Sequence, residues 1–362
     1  MLSRTTNTIL PLILVALAIV GLASCDRKPA QSPGSPAQTK VHINAVATVG
    51  MVGDFVKQIG GEYVNTTVLL GPGTDPHLYK PTPSDIRTLR DADIIFASGL
   101  HLEGKMEEVL RDLAKTKPVI FVTDSIPRDK LVVASGALAA TLPASPHGVT
   151  YDPHAWFDVS IWSFTTSAVE TGLGALAPNP LTPDWAEALG VFQANAVVLR
   201  QQLTTLDAEV RNAINTIPQN QRVMVTAHDA FQYFGRAYNV EVLGIQGIST
   251  ESEASLQKIN DLVRTLVDRK IPAVFVESSV SPKNIESLRQ GAASKGHDVK
   301  IGGQLFSDAM GAAGTPDGTY PGMVRHNIKT IVEALGGSMP QQTPVTQPQP
   351  ADSHETPKAG DK

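Results

Sequence analysis

Residues 184–217 read DWAEALGVFQANAVVLRQQLTTLDAEVRNAINTI, one continuous helical pattern with no internal proline. Its apolar residues recur every three or four positions, as an amphipathic helix requires. These positions are Leu189, Phe192, Ala196, Leu199, Leu203, Leu206, Val210 and Ile214. At a rise of 1.5 Å per residue, a helix of this length extends about 50 Å, which is longer than a compact lobe. The pattern predicts a rigid helix that connects two lobes, with a long helix packed along a single domain as the alternative.

On both sides of this helix, strand-like and helix-like patterns alternate. Apolar strand candidates include Ile43–Thr48 and Val64–Leu70 before it, and Arg222–Thr226 and Ala273–Glu277 after it. Pro83 stands at the first position of one intervening helix, where a proline is favoured. Alternation of this kind is typical of parallel sheets covered by helices. The predicted fold class is therefore α/β, with two lobes, each a mostly parallel sheet covered by helices, joined by the long helix.

The N-terminus has the features of a secretory signal. Arg4 precedes a short apolar run at residues 9–22, and Leu22-Ala23-Ser24-Cys25 follows. Cys25 is the only cysteine of the chain, so it has no partner for an internal disulfide. The motif resembles the bacterial lipobox, in which the cysteine is lipidated, and two or three acyl chains at ~0.8 kcal/mol per buried methylene anchor a protein stably. We predict export across the cytoplasmic membrane and lipid anchoring on its periplasmic or cell-surface side.

Composition divides the chain into six segments. The stretches beside the lipobox and at the C-terminus are rich in Pro, Gln, Ser or Thr and have little apolar surface to bury. The predicted segments are a signal peptide at 1–24, a lipidated tether at 25–40, an N-terminal α/β lobe at 41–183, the connecting helix at 184–218, a C-terminal α/β lobe at 219–338 and a disordered tail at 339–362. The net charge of the chain is −5, so its overall charge does not attract the phosphates of nucleic acid, and we exclude nucleic acid as a partner.

Four short stretches each hold a polar side chain that is hard to bury, in a turn directly beyond a predicted strand. They are Gly73–Tyr79 with His77, Tyr151–Trp156 with His154, Val225–Phe231 with His228, and Leu305–Met310 with Asp308. Ligands of open α/β sheets bind beyond the carboxyl ends of the strands, where such turns lie. Three imidazoles and one carboxylate suit a divalent transition metal in tetrahedral coordination. Because the four positions are far apart in sequence, spacing alone leaves structural histidines open as the alternative.

Several longer motifs resemble the metal-binding lipoproteins of zinc and manganese ABC importers, the TroA-like or adhesin-lipoprotein family. The resemblance extends from about Ile43 to Gly337 and is carried by Asp75-Pro76-His77, Asp152-Pro153-His154, Thr226–Phe231 with Tyr233-Phe234, Gly247–Thr250, Val276–Ser279 and Leu305–Asp308. It implies a metal ion buried between the lobes, with His77 and His154 from the first lobe and His228 and Asp308 from the second as ligands. It also implies a membrane permease as partner, a monomer, and neither a resident cofactor nor enzymatic activity.

The third ligand position bears on the choice of metal. Manganese and iron members of the family often resemble this chain with Glu in place of His228, and a third imidazole suits Zn²⁺ better than Mn²⁺. The sequence departs from many zinc members in the stretch 129–149, where they carry a His- and Asp-rich loop and this chain has only His147. We predict zinc as the bound ion, with manganese or iron binding as the alternative.

Two further functions remain as alternatives. Three histidines with a water in the fourth position are typical of a catalytic zinc site, so a zinc hydrolase stays open unless Asp308 completes the coordination sphere. A surface adhesin is the other alternative, since the family often carries that label. We interpret His101 as a residue of the cleft rim, and Trp156, Phe157 and Phe231 as packing that excludes water from the ligands.

Overall fold

The computed structural model describes residues 41–134, 149–251 and 253–340. The predicted signal peptide, Cys25 with its tether, and the C-terminal tail from residue 341 lie outside these residues, as does His147. Among the helices of the described residues, none combines the length and the apolar character that a membrane crossing requires.

The first half of the chain forms a four-stranded parallel sheet in the order β2-β1-β3-β4. Its strands are β1 Ile43–Ala47, β2 Val64–Val68, β3 Ile94–Ala97 and β4 Val119–Phe121. Its helices are α1 Gly50–Gly60, α2 Pro83–Asp91, α3 Glu107–Leu113, α4 Val159–Trp162 and α5 Thr165–Gly174. The central strand β3 is buried throughout, because helices cover both faces of a parallel sheet.

The start of α2 confirms the helix start predicted at Pro83. Thr82 adopts an extended backbone and its hydroxyl accepts a hydrogen bond from the backbone N–H of Asp85, while the Asp85 carboxylate accepts one from the N–H of Thr82. This reciprocal capping box satisfies two backbone donors that the first helical turn leaves unpaired.

The long helix α6 runs from Pro183 to Ile214 and has 32 residues, close to the predicted span. It is about 48 Å long. The predicted stripe from Phe192 to Ile214 is buried, whereas Leu189 is only partly buried and Ala188 takes the buried position beside it. The apolar face of α6 therefore packs into the core along most of its length.

The second half of the chain repeats the alternation of parallel strands and helices. Its strands are β5 Val223–Thr226, β6 Glu241–Gly244, β7 Ala273–Glu277 and β8 Lys300–Leu305. Its helices are α7 Gln232–Tyr238, α8 Leu256–Arg269, α9 Lys283–Ala293 and α10 Tyr320–Ala334. Strands pair as β5-β6 and β7-β8, and β5 lies against β7. The fold is the predicted α/β arrangement of two lobes and a connecting helix.

The largest hydrophobic cluster of the described residues contains side chains of both lobes. It extends from Val41 to Leu335 and includes Phe192 and Leu206 of α6, while smaller clusters lie within each lobe. The Asp54 carboxylate of α1 accepts a hydrogen bond of 2.8 Å from the backbone N–H of Tyr320, the first residue of α10. Because helices of both halves pack against α6, the loops that carry the polar residues at the strand ends are held on a rigid frame.

Candidate metal centre

The structure brings the four predicted ligand side chains together in one place, which we call the His/Asp cluster: His77, His154, His228 and Asp308. All four are buried, with at most 2% of any residue exposed. One ligand atom from each side chain lies within 4.8 Å of all the others. Residues separated by more than 70 positions in sequence therefore converge on a volume large enough for a single ion.

The separations within the cluster have the size that a tetrahedral zinc site requires. Nε2 of His154 lies 3.3 Å from Nε2 of His77 and 3.4 Å from Nε2 of His228. Oδ1 of Asp308 lies 3.4 Å from Nε2 of both His154 and His228. Ligand atoms bonded to a central zinc ion at about 2.0–2.1 Å in a tetrahedron are about 3.3–3.4 Å apart. Four of the six edges of the cluster thus match that geometry.

Three of the four ligands follow a strand, as predicted, and one does not. His228 comes two residues after β5, Asp308 three residues after β8, and His77 lies in the loop after β2. The strand predicted directly before His154 is absent from the described residues 149–153. Tyr151 makes only an isolated antiparallel bridge with Val133, and His154 immediately precedes a single 3-10 turn. A short polar Asp-Pro-His segment is positioned here by side-chain hydrogen bonds rather than by a sheet ladder.

Two buried carboxylates orient two of the imidazoles. Nδ1 of His154 donates to Oδ1 of Asp152 at 2.7 Å, and the same oxygen accepts the backbone N–H of His154 at 2.9 Å. Nδ1 of His228 donates to Oε2 of Glu277 at 2.5 Å, while Oε1 accepts the backbone N–H of His228 at 2.9 Å. Each carboxylate fixes the imidazole tautomer, turns Nε2 toward the cluster, and raises the basicity of a histidine that binds metal.

Glu277 had no predicted role, although the sequence contained a signal for one. Glu277 is the last residue of β7, so it meets the same criterion that singled out His228: a polar side chain at the carboxyl end of a buried strand. Asp152 likewise stood in the quoted motif without a function of its own. Glu277 pairs with an imidazole 49 positions away, which linear spacing does not reveal, whereas Asp152 pairs with the histidine of its own tripeptide.

His77 and Asp308 are held by different contacts. Oδ1 of Asp75 accepts the backbone N–H of His77 at 2.9 Å, and Oδ2 of Asp75 accepts the hydroxyl of Thr250 at 2.6 Å. Oδ2 of Asp308 accepts the hydroxyl of Ser279 at 3.2 Å. The other oxygen of Asp308, Oδ1, is buried and has no hydrogen-bond donor in the described part of the protein. A buried carboxylate oxygen left without a donor among three imidazoles is suited to bind a cation.

The electrostatics of the cluster divide the histidines into two kinds. Burial and the neighbouring imidazoles lower the pKa of His77 to about 3, against the opposing effect of Asp308. Burial acts in the same direction on His154, but Asp152 and Asp308 outweigh it and raise its pKa to about 9. Glu277 and Asp308 likewise overcome burial and raise the pKa of His228 well above its usual value. His77 is thus neutral at pH 7, whereas a cation must displace protons from the other two.

Burial alone would raise the pKa of the Asp308 carboxyl group. His228 and His154 outweigh burial and hold this pKa well below the usual range. Asp308 is therefore ionised over the physiological range and contributes a full negative charge to the cluster. A divalent cation that replaces the imidazole protons would keep this charge compensated.

Aromatic side chains close one side of the cluster, as predicted. The ring of Trp156 stands edge-on to the imidazole of His154 at 5.2 Å between centroids, and Phe157 packs on Phe231 at 4.2 Å. The indole N–H of Trp156 also donates to the carbonyl oxygen of Ser307 at 3.1 Å, next to Asp308. These buried rings exclude water and lower the local dielectric around the ligands.

His101 lies outside the His/Asp cluster and is partly buried. Its Nδ1 contacts the carboxylate of Glu107, which also pairs with Arg111. Its backbone, like that of Leu100 and Gly99, has a positive φ, 67° in the case of His101. The turn between β3 and α3 is therefore tight, and it keeps this histidine away from the other three.

Comparisons with known proteins agree with the geometry of the cluster. Residues 45–334 match the family described as zinc-uptake complex component A, periplasmic. The chain is 43% identical over 321 residues to the manganese-binding lipoprotein MntA of Bacillus subtilis, an alignment that covers 89% of this chain and 97% of the relative. It is 29% identical to the metal ABC transporter substrate-binding lipoprotein ScbA of Streptococcus cristatus, with 90% of this chain and 97% of the relative covered.

A solved structure extends the likeness to three dimensions. The periplasmic zinc-binding protein TroA of Treponema pallidum superposes with a TM-score of 0.74 at 45% identity, over 81% of this chain and 99% of that one. The chain belongs to the family of the periplasmic component A of zinc-uptake complexes, the solute-binding proteins of metal ABC importers.

Proposed function

We propose that this protein captures one divalent transition-metal ion outside the cytoplasmic membrane and delivers it to the permease of an ABC importer. The ligands in this proposal are the members of the His/Asp cluster: His77, His154, His228 and Asp308. The observation that carries it is the convergence of three imidazoles and the Asp308 carboxylate, whose buried Oδ1 lies 3.4 Å from Nε2 of both His154 and His228 and makes no hydrogen bond in the described residues. The ion is cargo, bound and then released, rather than a resident cofactor.

Zinc is the ion that the donor set favours. Three nitrogens and one oxygen at separations of 3.3–3.4 Å suit a tetrahedral, borderline-soft cation, while Mn²⁺ prefers more oxygen ligands and a higher coordination number. Manganese is the second candidate, because the relative MntA is a manganese-binding lipoprotein whereas TroA is a zinc-binding protein. The observation that favours zinc in this chain is the imidazole at position 228, hydrogen-bonded to Glu277.

The burial of the cluster supports binding rather than catalysis. A hydrolytic zinc site keeps one position open for water and for substrate. Here the carboxylate of Asp308 takes the fourth position of the cluster, and the rings of Trp156 and Phe231, which follow two of its histidines in sequence, are fully buried. Turnover of such substrates by the zinc-loaded protein would contradict this proposal.

The remaining features of the chain fit a tethered carrier. We propose that Cys25 carries the lipid anchor, that residues 25–40 form the tether, and that the protein acts as a monomer. Each lobe, at residues 41–183 and 219–338 in this proposal, supplies two ligands, so the lobes must dock correctly to complete the site. A surface-adhesin role is compatible with this arrangement and is supported by no specific contact.

Metal analysis of protein purified without added metal, followed by competition between zinc and manganese, tests the proposal. We expect one zinc ion per chain, retained in the presence of equimolar manganese. Substitution of any one of the three histidines by Ala should weaken zinc binding severely, because each change removes one of four bonds to the ion. Zinc binding with wild-type affinity in all three variants would refute the assignment.

A further inference from the structure

The chain contains two Asp-Pro-His tripeptides, and the structure uses their aspartates differently. In the second tripeptide, Asp152 serves its own histidine twice, through the backbone N–H and through Nδ1 of His154. In the first, Asp75 accepts the backbone N–H of His77, and the described contacts include none between Asp75 and the imidazole. Its other oxygen accepts a hydrogen bond of 2.6 Å from the hydroxyl of Thr250, a residue of the opposite lobe. The same tripeptide therefore orients a ligand in one case and joins two lobes in the other.

We propose that Thr250 is a positioning residue that acts through Asp75 to keep His77 on the bound metal, and thereby sets the rate of metal release. This inference rests on the proposed function of the His/Asp cluster. It concerns the hydroxyl of Thr250, which touches none of the four ligand side chains in the contacts described above. The hydrogen bond between Thr250 and Asp75 holds the loop of His77 in contact with the second lobe.

The loop of His77 is exposed on both sides of the buried Pro76 and His77, and the hydroxyl of Tyr79 anchors its far end to Asp85 at 2.7 Å. Its residues 71–73 are exposed, and Leu78, which follows the histidine, is 47% exposed. Thr250, in contrast, is 8% exposed and lies in the segment between β6 and α8. A hydrogen bond from a nearly buried hydroxyl to a carboxylate is stronger than a typical neutral one. Among the described residues, this hydrogen bond is a direct link between the loop of His77 and the second lobe.

A second contact lies beside the first and crosses between the same lobes. The ammonium group of Lys105 pairs with the carboxylate of Glu251, the residue after Thr250. Both side chains are more than a third exposed, so solvent screens this ion pair and its contribution is small. The two contacts together mark the segment at Thr250 as the part of the second lobe that faces the loop of His77, and the hydroxyl is the stronger link.

The expected consequence concerns release more than capture. The Thr250–Asp75 hydrogen bond requires both lobes in contact, so it is present in the closed, metal-loaded protein and is broken when the loop withdraws His77. Its loss lowers the barrier to withdrawal, while an incoming ion still meets the same open site. The rate constant for dissociation should therefore rise, and that for association should change little.

The test compares zinc release from four proteins by mixing the zinc-loaded form with excess chelator and following the transfer with time. Thr250→Val keeps the shape and removes the hydroxyl, and Thr250→Ser keeps a hydroxyl. Thr205→Val makes the same chemical change at an exposed site on α6, where the hydroxyl bonds only to the backbone of Gln201. We expect Thr250→Val to release zinc at least about tenfold faster, with Thr250→Ser and Thr205→Val within about threefold of wild type.

Association rate constants and a second variant distinguish a specific effect on release from a general disruption of the fold. We expect the association rate constant of Thr250→Val to stay within about threefold of wild type. Thr250→Ala, which introduces no new methyl group in place of the hydroxyl, should show the same fast release. Wild-type release rates in both Thr250→Val and Thr250→Ala would overturn the inference, as would fast release in Thr250→Ser. Absence of zinc binding by the wild type would instead refute the proposed function itself.

Discussion

Glu277→Gln tests how much of the metal affinity depends on the carboxylate behind His228. Glu277 offers two acceptor oxygens to two donors of the same residue, the backbone N–H at 2.9 Å and Nδ1–H at 2.5 Å. A glutamine of the same shape offers one oxygen and one NH₂ group. In one of the two contacts, the NH₂ group then faces another hydrogen-bond donor, which is unfavourable. The remaining hydrogen bond is weaker, because its acceptor is no longer charged.

The size of the effect follows from these contacts. Removal of a carboxylate that orients a metal-binding histidine typically weakens metal affinity by 10- to 100-fold. The pair of Glu277 and His228 is fully buried, so solvent does not screen the loss. We expect the Kd for zinc to rise by about 10- to 100-fold in Glu277→Gln, equivalent to ~1.4–2.8 kcal/mol.

Competition against a zinc chelator of known affinity measures this change. Glu333→Gln is a matched control, because Glu333 is exposed on α10 and pairs only with Lys329. The control should bind zinc as the wild type does. A Kd for Glu277→Gln within about twofold of the control would refute the reasoning, since it would mean that the orientation of His228 does not depend on this carboxylate.

Three further predictions concern selectivity, stability and pH. His228→Glu replaces an imidazole by a second carboxylate beside Asp308. In parallel titrations with both ions, we expect the ratio of zinc affinity to manganese affinity to fall by at least about tenfold (~1.4 kcal/mol), without reversal. An unchanged ratio would show that position 228 does not set selectivity. Excess zinc should raise the melting temperature by several degrees, because a zinc concentration of about a thousand times Kd adds about 4 kcal/mol to the free energy of unfolding. A constant melting temperature in calorimetry would contradict a site built from both lobes. Zinc affinity should fall as the pH is lowered from about 9 to 6, because His154, with a pKa of about 9, binds a proton that competes with the metal. If chelator competition shows no decrease in zinc affinity over this interval, His154 is not protonated in the metal-free protein.

The same pKa shift determines how the metal-free protein responds to pH. The pKa of His154 in the folded state lies above its ordinary value, so its protonated form stabilises the fold at pH values below that ordinary value. This contribution is lost as the pH rises through about 9. The metal-free and the zinc-loaded protein should therefore respond to alkaline pH in opposite directions, since zinc binding strengthens over the interval in which the metal-free fold weakens.

The sequence predicted those parts of the fold that depend on local pattern. The helix at Pro183–Ile214 follows from apolar spacing and the absence of proline, and the start of α2 follows from Thr82 and Pro83. The helix at Thr165–Gly174 was not predicted, because its small and polar residues give only a weak periodic pattern. Propensity and periodicity predict an element only when its buried face is clearly separated from its exposed face.

The members of the His/Asp cluster were predictable, and the residues that orient them were not. His77, His154, His228 and Asp308 stood out through motif resemblance and through their places beyond predicted strands, although residues 149–153, which the structure describes before His154, form no strand. The contact between Thr250 and Asp75 joins residues 175 positions apart, and that between Glu277 and His228 joins residues 49 positions apart. Such pairings are set by the packing of whole lobes, which a single sequence does not display.

The position of the zinc ion itself tests the central claim most directly. Anomalous diffraction at the zinc absorption edge, on crystals of the zinc-loaded protein, locates the ion independently of any assumption about its ligands. We expect one anomalous peak per chain, about 2.0–2.2 Å from Nε2 of the three histidines and from a carboxylate oxygen of Asp308. A principal peak bound by any other set of residues, or one that contacts fewer than three of these four side chains, would contradict the account.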